Sequence, residues 1–251
     1  MGGVGDGDRE NAAKIFADLA IDLHESIGVE ETVETVVQFA LQAISCTHAA
    51  VVLAAGGGRF GIAAATDPVM EAICQLEIDT SDGPLIAALT AGDTVLVRDT
   101  AAETRWPEWA TKVGELGLRT VLQVPLQTAD RTGGVLSLCS TAADAFDADD
   151  DAVAHILARH AAVAVAAARH EETLTQAIDA RKLIGQAMGI LMERYDINDD
   201  RAFAILRRYS QDNNIKLRDV ALQLIDTRKL PTTHPQEASD AITHADIAIG
   251  Q

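Results

Sequence analysis

The feature that most constrains this chain is a stretch without proline or glycine that extends from Asp147 to the residue before Gly185. The stretch opens with four aspartates in residues 147–151, and negative side chains are favourable in the first turn of a helix. Apolar residues then recur at alternating steps of three and four as far as Tyr195, which is the spacing of one helical stripe. The sequence therefore predicts one long helix.

The apolar stripe of this helix is interrupted by polar residues at His160, His170 and Arg181. A helix of this length that projects beyond a domain usually needs a partner helix to cover its stripe. The sequence favours a parallel homodimer through a coiled coil, with residues 169–180 as the helical linker. The alternative is that the helix breaks near Glu171 and folds back.

The chain before the long helix mixes helical and strand-like patterns. Helical spacing of apolar residues predicts amphipathic helices over residues 11–23 and 33–44, and shorter helices over 85–90 and 107–116. Short apolar runs predict strands at 49–54, 60–65, 94–97, 120–125 and 134–140, the first two joined as a hairpin by the glycines at 56–58. These elements predict an α+β domain over residues 11–168, with an antiparallel sheet flanked by helices, after a disordered N-terminus at 1–10.

The chain after Tyr195 predicts a small all-α unit over residues 174–230. Asn198 can cap a second helix that extends to about residue 212, and a third helix follows over about 216–228. With the end of the long helix these make three helices. The expected inward residues are Ile184, Ala187, Leu191, Phe203, Leu206, Leu217 and Val220. The last residues, 231–251, have only weak periodicity and predict a flexible tail.

Charge is divided unevenly along the chain. The whole carries 20 Lys and Arg against 38 Asp and Glu, a net charge of -18, which argues against binding of the whole surface to DNA or to an anionic membrane. Residues 174–230 differ, with ten basic and eight acidic residues, a local balance of +2. That segment can meet an anionic partner such as a nucleic acid independently of the rest.

Nothing in the sequence predicts a membrane span, a secretion signal or a catalytic site. The longest purely apolar run covers residues 161–168, far short of the roughly 20 residues that cross a bilayer, and the N-terminus has no apolar signal region. Three well-separated cysteines and no suitably spaced histidine pair indicate neither a disulfide framework nor a metal site. The chain is expected to be cytoplasmic, to have no membrane partner and not to be an enzyme.

Polar side chains of the small helical unit suit contacts with a nucleic acid. Arginine and lysine neutralise phosphates, glutamine, asparagine and serine hydrogen-bond base edges, and alanine or glycine leaves room for a nucleotide. An ordinary solvated helix surface has a similar composition. The candidate RNA-binding residues are Arg181, Lys182, Gln186, Ala187, Gly189, Arg207, Arg208, Ser210, Gln211, Asn214, Lys216 and Arg218.

Residues 178–225 closely resemble the ANTAR domain, a three-helix RNA-binding module of bacterial transcription antitermination regulators. The resemblance rests on the run 178–192 and, in order, on Ala202-Phe203, Leu206-Arg207, Tyr209-Ser210-Gln211, Asn214 and Lys216-Leu217-Arg218-Asp219-Val220-Ala221. One departure is Met188, where the family often has lysine. The resemblance implies binding of a pair of small hairpin loops in a nascent leader transcript, which prevents formation of a competing terminator.

Residues from about 12 to 168 resemble a GAF sensor domain. The matching segments are 82–84, 95–99, 105–109, 117–126, 133–138 and 145–147. GAF domains bind cyclic nucleotides, haem, chromophores or no ligand, so the resemblance implies the fold more firmly than a small-molecule ligand. The ligand stays unknown, because no cyclic-nucleotide signature is evident and no cysteine sits in a chromophore-attachment context. Leu85 stands where related sequences frequently have cysteine, which weakens a thiol-sensing role.

Two other functional classes remain open from the sequence. Three helices with basic residues also resemble a helix-turn-helix regulator that binds DNA. Double-stranded DNA is the less favoured partner, because a balance of +2 is weak against a duplex that carries a charge about every 1.7 Å. The third class is a small-molecule sensor or scaffold whose helical unit contacts only another protein.

Overall fold

The computed structural model describes residues 19, 21–23, 25–55, 57–128 and 132–230. Residues 19, 21–23 and 25 are helical. Most of the helix expected over 11–23, the expected disordered N-terminus at 1–10 and the expected tail at 231–251 lie outside the described residues. The chain divides into two compact units between Glu171 and Glu172.

The first unit alternates helices and strands in the order that an α+β domain requires. Its helices are α1 (Gly28–Ala43), α2 (Pro68–Thr80), α3 (Pro84–Ala91) and α4 (Pro107–Glu115), with one 3-10 turn at Thr100–Ala102. Its strands are β1 (His48–Ala54), β2 (Phe60–Ala65), β3 (Val95–Val97), β4 (Thr120–Gln127) and β5 (Thr132–Ser140). The long helix α5 (Ala148–Tyr195) begins in this unit, and α6 (Asp199–Asp212) and α7 (Leu217–Thr227) follow it.

The five strands form one sheet in the order β2-β1-β5-β4-β3, and every neighbouring pair is antiparallel. The predicted β1–β2 hairpin is confirmed, and Gly57 and Gly58 in its turn have positive φ values of 78° and 75°, which glycine adopts without steric cost. Alternate residues of each strand point to opposite faces, so the sheet needs a covering layer on both sides.

Two hydrophobic cores cover the two faces of the sheet. On one face, α1 and the first part of α5 pack on residues such as Leu122 and Leu138. On the other face, α2, α3 and α4 pack on Val121, Val135 and Cys139. The predicted α+β architecture is confirmed, with the sheet sandwiched between two helical layers.

Helix α2 has no counterpart among the expected elements, although its start carries a strong local signal. The side chain of Asp67 accepts hydrogen bonds from the backbone N–H groups of Val69 and Met70, at 2.9 and 3.1 Å. Pro68 occupies the first helical turn, where its missing N–H costs nothing. A capping aspartate followed by proline therefore begins this helix.

Helix α5 is continuous from Ala148 to Tyr195, so the alternative of a break near Glu171 is wrong. Asp147 caps it, because its carboxylate accepts hydrogen bonds from the N–H groups of Asp149 and Asp150 at 2.8 and 2.9 Å. By length and composition alone α5 could cross a membrane, but 39% of its most apolar window is buried and core helices of soluble proteins pass the same test. The expected absence of a span stays a prediction.

The second unit contains three helices, as the sequence predicts: the C-terminal part of α5, α6 and α7. The side chain of Asn198 caps α6 by accepting a hydrogen bond from the N–H of Arg201 at 3.0 Å. The buried core of the second unit consists of Ala187, Leu191, Ala202, Leu206, Val220, Ala221 and Leu224. The expectation that Phe203 points inward is wrong, because 40% of this residue is exposed.

Candidate nucleic-acid interface and sensor site

The twelve candidate RNA-binding residues divide by their exposure. Ten lie on the surface of the second unit, Ser210 is half-buried, and Ala187 is completely buried. The expected role of Ala187 in giving room to a nucleotide is therefore corrected: its small side chain packs in the core formed with α6 and α7. The exposed ten are Arg181, Lys182, Gln186, Gly189, Arg207, Arg208, Gln211, Asn214, Lys216 and Arg218.

One candidate surface lies along α5. Lys182, Gln186 and Gly189 follow at spacings of four and three, so they share one face of the helix, and Arg181 flanks them. A β-carbon placed on Gly185 or Gly189 would meet nothing within 4 Å among the described residues. A glycine inside a helix lowers the stability of the helix by about 1 kcal/mol relative to alanine. No contact among the described residues of the unit requires a glycine at either position. The helix backbone is thus accessible at these two positions.

A second candidate surface lies along α6. Phe203, Arg207 and Gln211 are spaced by four residues, so an aromatic ring, a guanidinium and an amide share one helix face. Arg208 lies on a different face, where its Nε is 3.5 Å from a carboxylate oxygen of Asp212. Within the described part of the chain, Arg207 makes no ion pair or side-chain hydrogen bond. The structure therefore separates two arginines that are adjacent in sequence.

The turn between α6 and α7 uses one predicted contact residue for its own structure. The hydroxyl of Ser210 donates a hydrogen bond to the carbonyl of Ile215 at 2.6 Å, so its proton is already engaged. Asn214 has φ 52°, a left-handed conformation that asparagine tolerates better than most residues. The carbonyl of Lys216 accepts the N–H groups of Asp219 and Val220 at 2.8 and 3.1 Å, which begins α7.

The predicted phosphate-binding cations are available for an external anion. Among the described residues, Arg208 is the one of the six predicted cations that forms an ion pair within 4 Å, and its partner is Asp212. Five of the six predicted cations have no acidic partner there: Arg181, Lys182, Arg207, Lys216 and Arg218. Unpaired exposed cations are the electrostatic requirement for binding a phosphate backbone.

The first unit holds a different site, inside the core between the sheet and the layer α2–α4. Among the described residues, every buried side-chain polar atom without a hydrogen-bond partner lies in this core, between the sheet and helices α2–α4. Gln123 and Ser137 lie directly opposite each other on β4 and β5, on the face that contacts α2. The orphaned atoms are Glu77 Oε1, Trp109 Nε1, Gln123 Oε1, Gln123 Nε2 and Ser137 Oγ. Buried polar atoms without partners are uncommon in folded proteins, and each calls for an explanation such as strain, a functional role, or a bound water or ion.

Glu77 is the acidic member of this buried cluster, at 1% exposure. Burial raises its pKa from 4.5 to about 8, although its Oε2 accepts a hydrogen bond from the N–H of Leu85 at 2.6 Å. The indole N–H of Trp109 opposes the effect of burial and lowers the pKa of this carboxyl group, although it makes no full hydrogen bond. Gly83, with φ 128°, leaves the space that the carboxyl group fills, because a β-carbon there would collide with it.

Sequence reasoning did not identify Glu77 or the cluster around it. One signal was present, since Gln123 and Ser137 interrupt otherwise apolar strands. The free cysteines nearby, Cys74 and Cys139, are buried, and burial raises the pKa of the Cys74 thiol to about 12. Within the described residues, no group of three or more His, Cys, Asp and Glu side chains is placed to hold a metal ion.

Comparison with protein families identifies both units. Residues 26–166 match the GAF domain, and residues 172–225 match the ANTAR domain. The GAF match covers more than half of the chain, and the ANTAR match includes α6 and most of α7. None of the curated proteins compared with the chain matches it.

Solved structures that resemble the chain include several GAF domains. The chain is similar to the GAF domain of a phosphoenolpyruvate-protein phosphotransferase from Coxiella burnetii, with 16% identity, a TM-score of 0.53, and coverage of 65% of this chain and 98% of the other. The corresponding Acinetobacter domain gives 14% identity, a TM-score of 0.52, and coverage of 63% and 95%. At these identities the likeness concerns the fold alone.

Proposed function

The chain belongs to the GAF domain family and carries an ANTAR domain, and from this premise we propose that it is a signal-responsive regulator that binds paired hairpin loops in nascent leader RNA and prevents terminator formation. The ANTAR domain is a module of RNA-binding antitermination regulators, and the GAF domain is a sensor domain. No catalytic step is part of this role. It places the protein in the cytoplasm, where nascent transcripts are bound.

The observation that carries the proposal is the row of exposed, unpaired cations on the second unit. Arg181 and Lys182 on α5, with Lys216 and Arg218 at the start of α7, would neutralise phosphates. The glutamines at 186 and 211, with Asn214, have exposed amides that can donate to and accept from base edges. Loops suit this mode because unpaired bases present faces and edges that a duplex hides.

The proposed regulator acts as a homodimer through α5. Large apolar side chains of this helix remain exposed at Ile156, Val163, Leu174 and Ile178, with exposures of 44%, 63%, 52% and 66%. Covering such residues against the same residues of a second copy removes apolar surface from water. Two protomers would then hold one hairpin loop each, which matches a pair of loops in the transcript.

The sensor part of the proposal places a small polar ligand at the buried cluster of Glu77, Trp109, Gln123 and Ser137. These side chains offer both donors and acceptors that have no partner among the described residues. A ligand that satisfies them would favour one packing of the layer α2–α4, and a difference in affinity between two packings shifts their populations.

The proposal is tested by the affinity of the full-length protein for a two-hairpin RNA, a scrambled-loop control and a duplex DNA of equal length, over a series of salt concentrations. Arg207→Ala is compared with Arg201→Ala, which removes an equal charge from another exposed face of α6. We expect loop-dependent binding that weakens about tenfold in the Arg207 variant, as for loss of a base or phosphate contact, and little change in the Arg201 variant.

The other outcomes identify the competing functions. Preferential binding to duplex DNA would replace the proposal with a DNA-binding regulator. Weak binding to all three nucleic acids would leave a sensor or scaffold whose helical unit contacts a protein. An equal loss in both arginine variants would show a general charge effect and would remove the assigned α6 interface.

A further inference from the structure

Phe203 lies at the surface of the second unit although its type favours burial. Its exposure is 40%, whereas Ala202 and Leu206 beside it on α6 are completely buried. Single exposed apolar residues are common and need no explanation by themselves. The position of Phe203 is more informative than its exposure, because it begins the face of α6 that continues with Arg207 and Gln211.

The chemistry of this face changes along the helix. One turn before Phe203, the first turn of α6 carries Asp199 and Asp200, which stabilise the helix N-terminus. One turn after it lies Arg207, which has no acidic partner within the described residues, and Gln211 follows. An anion is therefore repelled at one edge of the ring and attracted at the other. A nucleotide fits this gradient with its base on the ring and its phosphate toward Arg207.

We propose that Phe203 is a stacking platform for one unpaired base of the RNA loop, with Arg207 binding the phosphate next to that base. This inference rests on the proposed RNA-binding function and adds a specific contact to it. Aromatic side chains bind unpaired bases through their faces, and this stacking tolerates any base. Base identity is then read by neighbouring amides, of which Gln211 is the nearest on the same face.

A protein partner fits this surface less well than a base. A docking patch for a protein helix would continue the apolar surface along α6, but the next exposed residues on this face are a cation and an amide. Leu222 on α7 is exposed to 41%, almost equal to Phe203, and provides a matched apolar residue without an aromatic face.

The experiment measures the affinity of the full-length protein for two-hairpin RNAs in which each loop nucleotide in turn is replaced by an abasic residue. The variants are Phe203→Leu, which keeps apolar volume without an aromatic face, Phe203→Trp, which keeps the face, and Leu222→Ala as the control. Circular dichroism of each variant checks that the helices are retained.

We expect Phe203→Leu to bind the unmodified RNA on the order of tenfold more weakly, and Phe203→Trp and Leu222→Ala to bind like the wild type. One abasic position should weaken the wild type by a similar factor and leave Phe203→Leu unchanged, since the contact is already lost. This pattern is a double-mutant cycle for a single base.

Three results would overturn the inference in distinguishable ways. If the wild type binds the loops and Phe203→Leu binds equally well, the stacking contact is excluded while the RNA-binding function stands. If the wild type shows no loop-dependent binding, the proposed function fails and the stacking contact fails with it. Equal losses in the Leu222 and Phe203 variants would show a general loss of apolar surface and would also overturn it.

Discussion

The two units place their polar groups in opposite locations. The GAF unit keeps its unpartnered polar atoms inside, in the layer between the sheet and α2–α4. The ANTAR unit keeps its unpartnered cations and amides outside, on α5, α6 and the start of α7. A sensor must surround a small ligand, whereas an RNA-binding unit must present side chains to a large one. The polar groups without partners are therefore buried in the unit that is expected to bind a small ligand, and exposed in the unit that is expected to bind RNA.

The two units also differ in how much core supports these polar groups. Forty buried apolar residues make up the two cores of the GAF unit, against seven in the ANTAR unit, counted over the described residues. A buried polar atom without a partner costs about 1–3 kcal/mol, which a large core can offset. A small core cannot, so the ANTAR unit has its polar groups where water satisfies them.

The largest expected effect concerns the pH dependence of the GAF unit. Glu77 keeps its proton to about pH 8 in the folded state, whereas the unfolded carboxyl group loses it near pH 4.5. The folded state therefore holds more protons between these values, and the free energy of unfolding falls as pH rises through this window. The loss is on the order of 5 kcal/mol, and Glu77→Gln should remove it.

Denaturant unfolding of the wild type and of Glu77→Gln at pH 5 and pH 8.5 measures this effect. Glu71→Gln, at an exposed position of the same helix, is the matched control. The variant and the wild type should differ far more at pH 8.5 than at pH 5. A difference that stays constant over this range would show that Glu77 does not carry the proton.

The second expected effect concerns the size of the two cores. Leu206→Ala removes a completely buried side chain from the ANTAR unit, and such a change costs about 2–5 kcal/mol. Because domains of this size have only a few kcal/mol of stability, the ANTAR unit should unfold while the GAF unit stays folded. Calorimetry should show one transition lost and RNA binding abolished.

Leu122→Ala in the GAF unit is the matched control, because Leu122 is equally buried. The larger core should tolerate the same deletion, with a lower transition temperature and with RNA binding retained. Loss of both transitions in Leu206→Ala would mean that the two units do not unfold independently. It would contradict the expectation that the size of each core sets the stability of its own unit.

The smallest expected effect separates stability from binding in the ANTAR unit. Gly189→Ala places a methyl group into open space and should raise stability by up to about 1 kcal/mol, because alanine favours the helix. If RNA approaches the backbone here, the same methyl group should weaken binding. Thermal unfolding and RNA titration of this variant give the two values. A stabilised variant with unchanged affinity would remove Gly189 from the interface.

Local signals in the sequence predicted most of the elements. Three such signals are the hairpin glycines, the aspartates before α5 and the cap at Asn198. Each affects only the backbone a few residues away, so its effect can be predicted without knowledge of the fold. Helix α2 was not predicted, and its buried face consists of Met70, Ile73, Cys74 and Glu77, so a carboxyl group interrupts the apolar pattern. The pair Asp67-Pro68 nonetheless indicates the start of a helix in the sequence.

The candidate interface was predicted by residue type and corrected by position. Ala187 and Gly189 are both small residues and lie two positions apart, but the first lies in the core and the second on the surface. Arg207 and Arg208 are identical in type, but one of them has an acidic partner. Ser210 uses its hydroxyl proton within the α6–α7 turn. Whether a helical side chain is buried or exposed depends on which face of the helix it occupies. Residue type alone does not specify that face.

By itself, the sequence determined most of the helical and extended segments and that the basic residues gather in the last third of the chain, because periodicity, caps and charge are local properties. Only the tertiary structure decided that Glu77 is buried under Gly83 and that Gln123 faces Ser137 across two strands. It also decided that Phe203 remains at the surface. Burial depends on which distant segments pack together, and packing is a property of the whole fold.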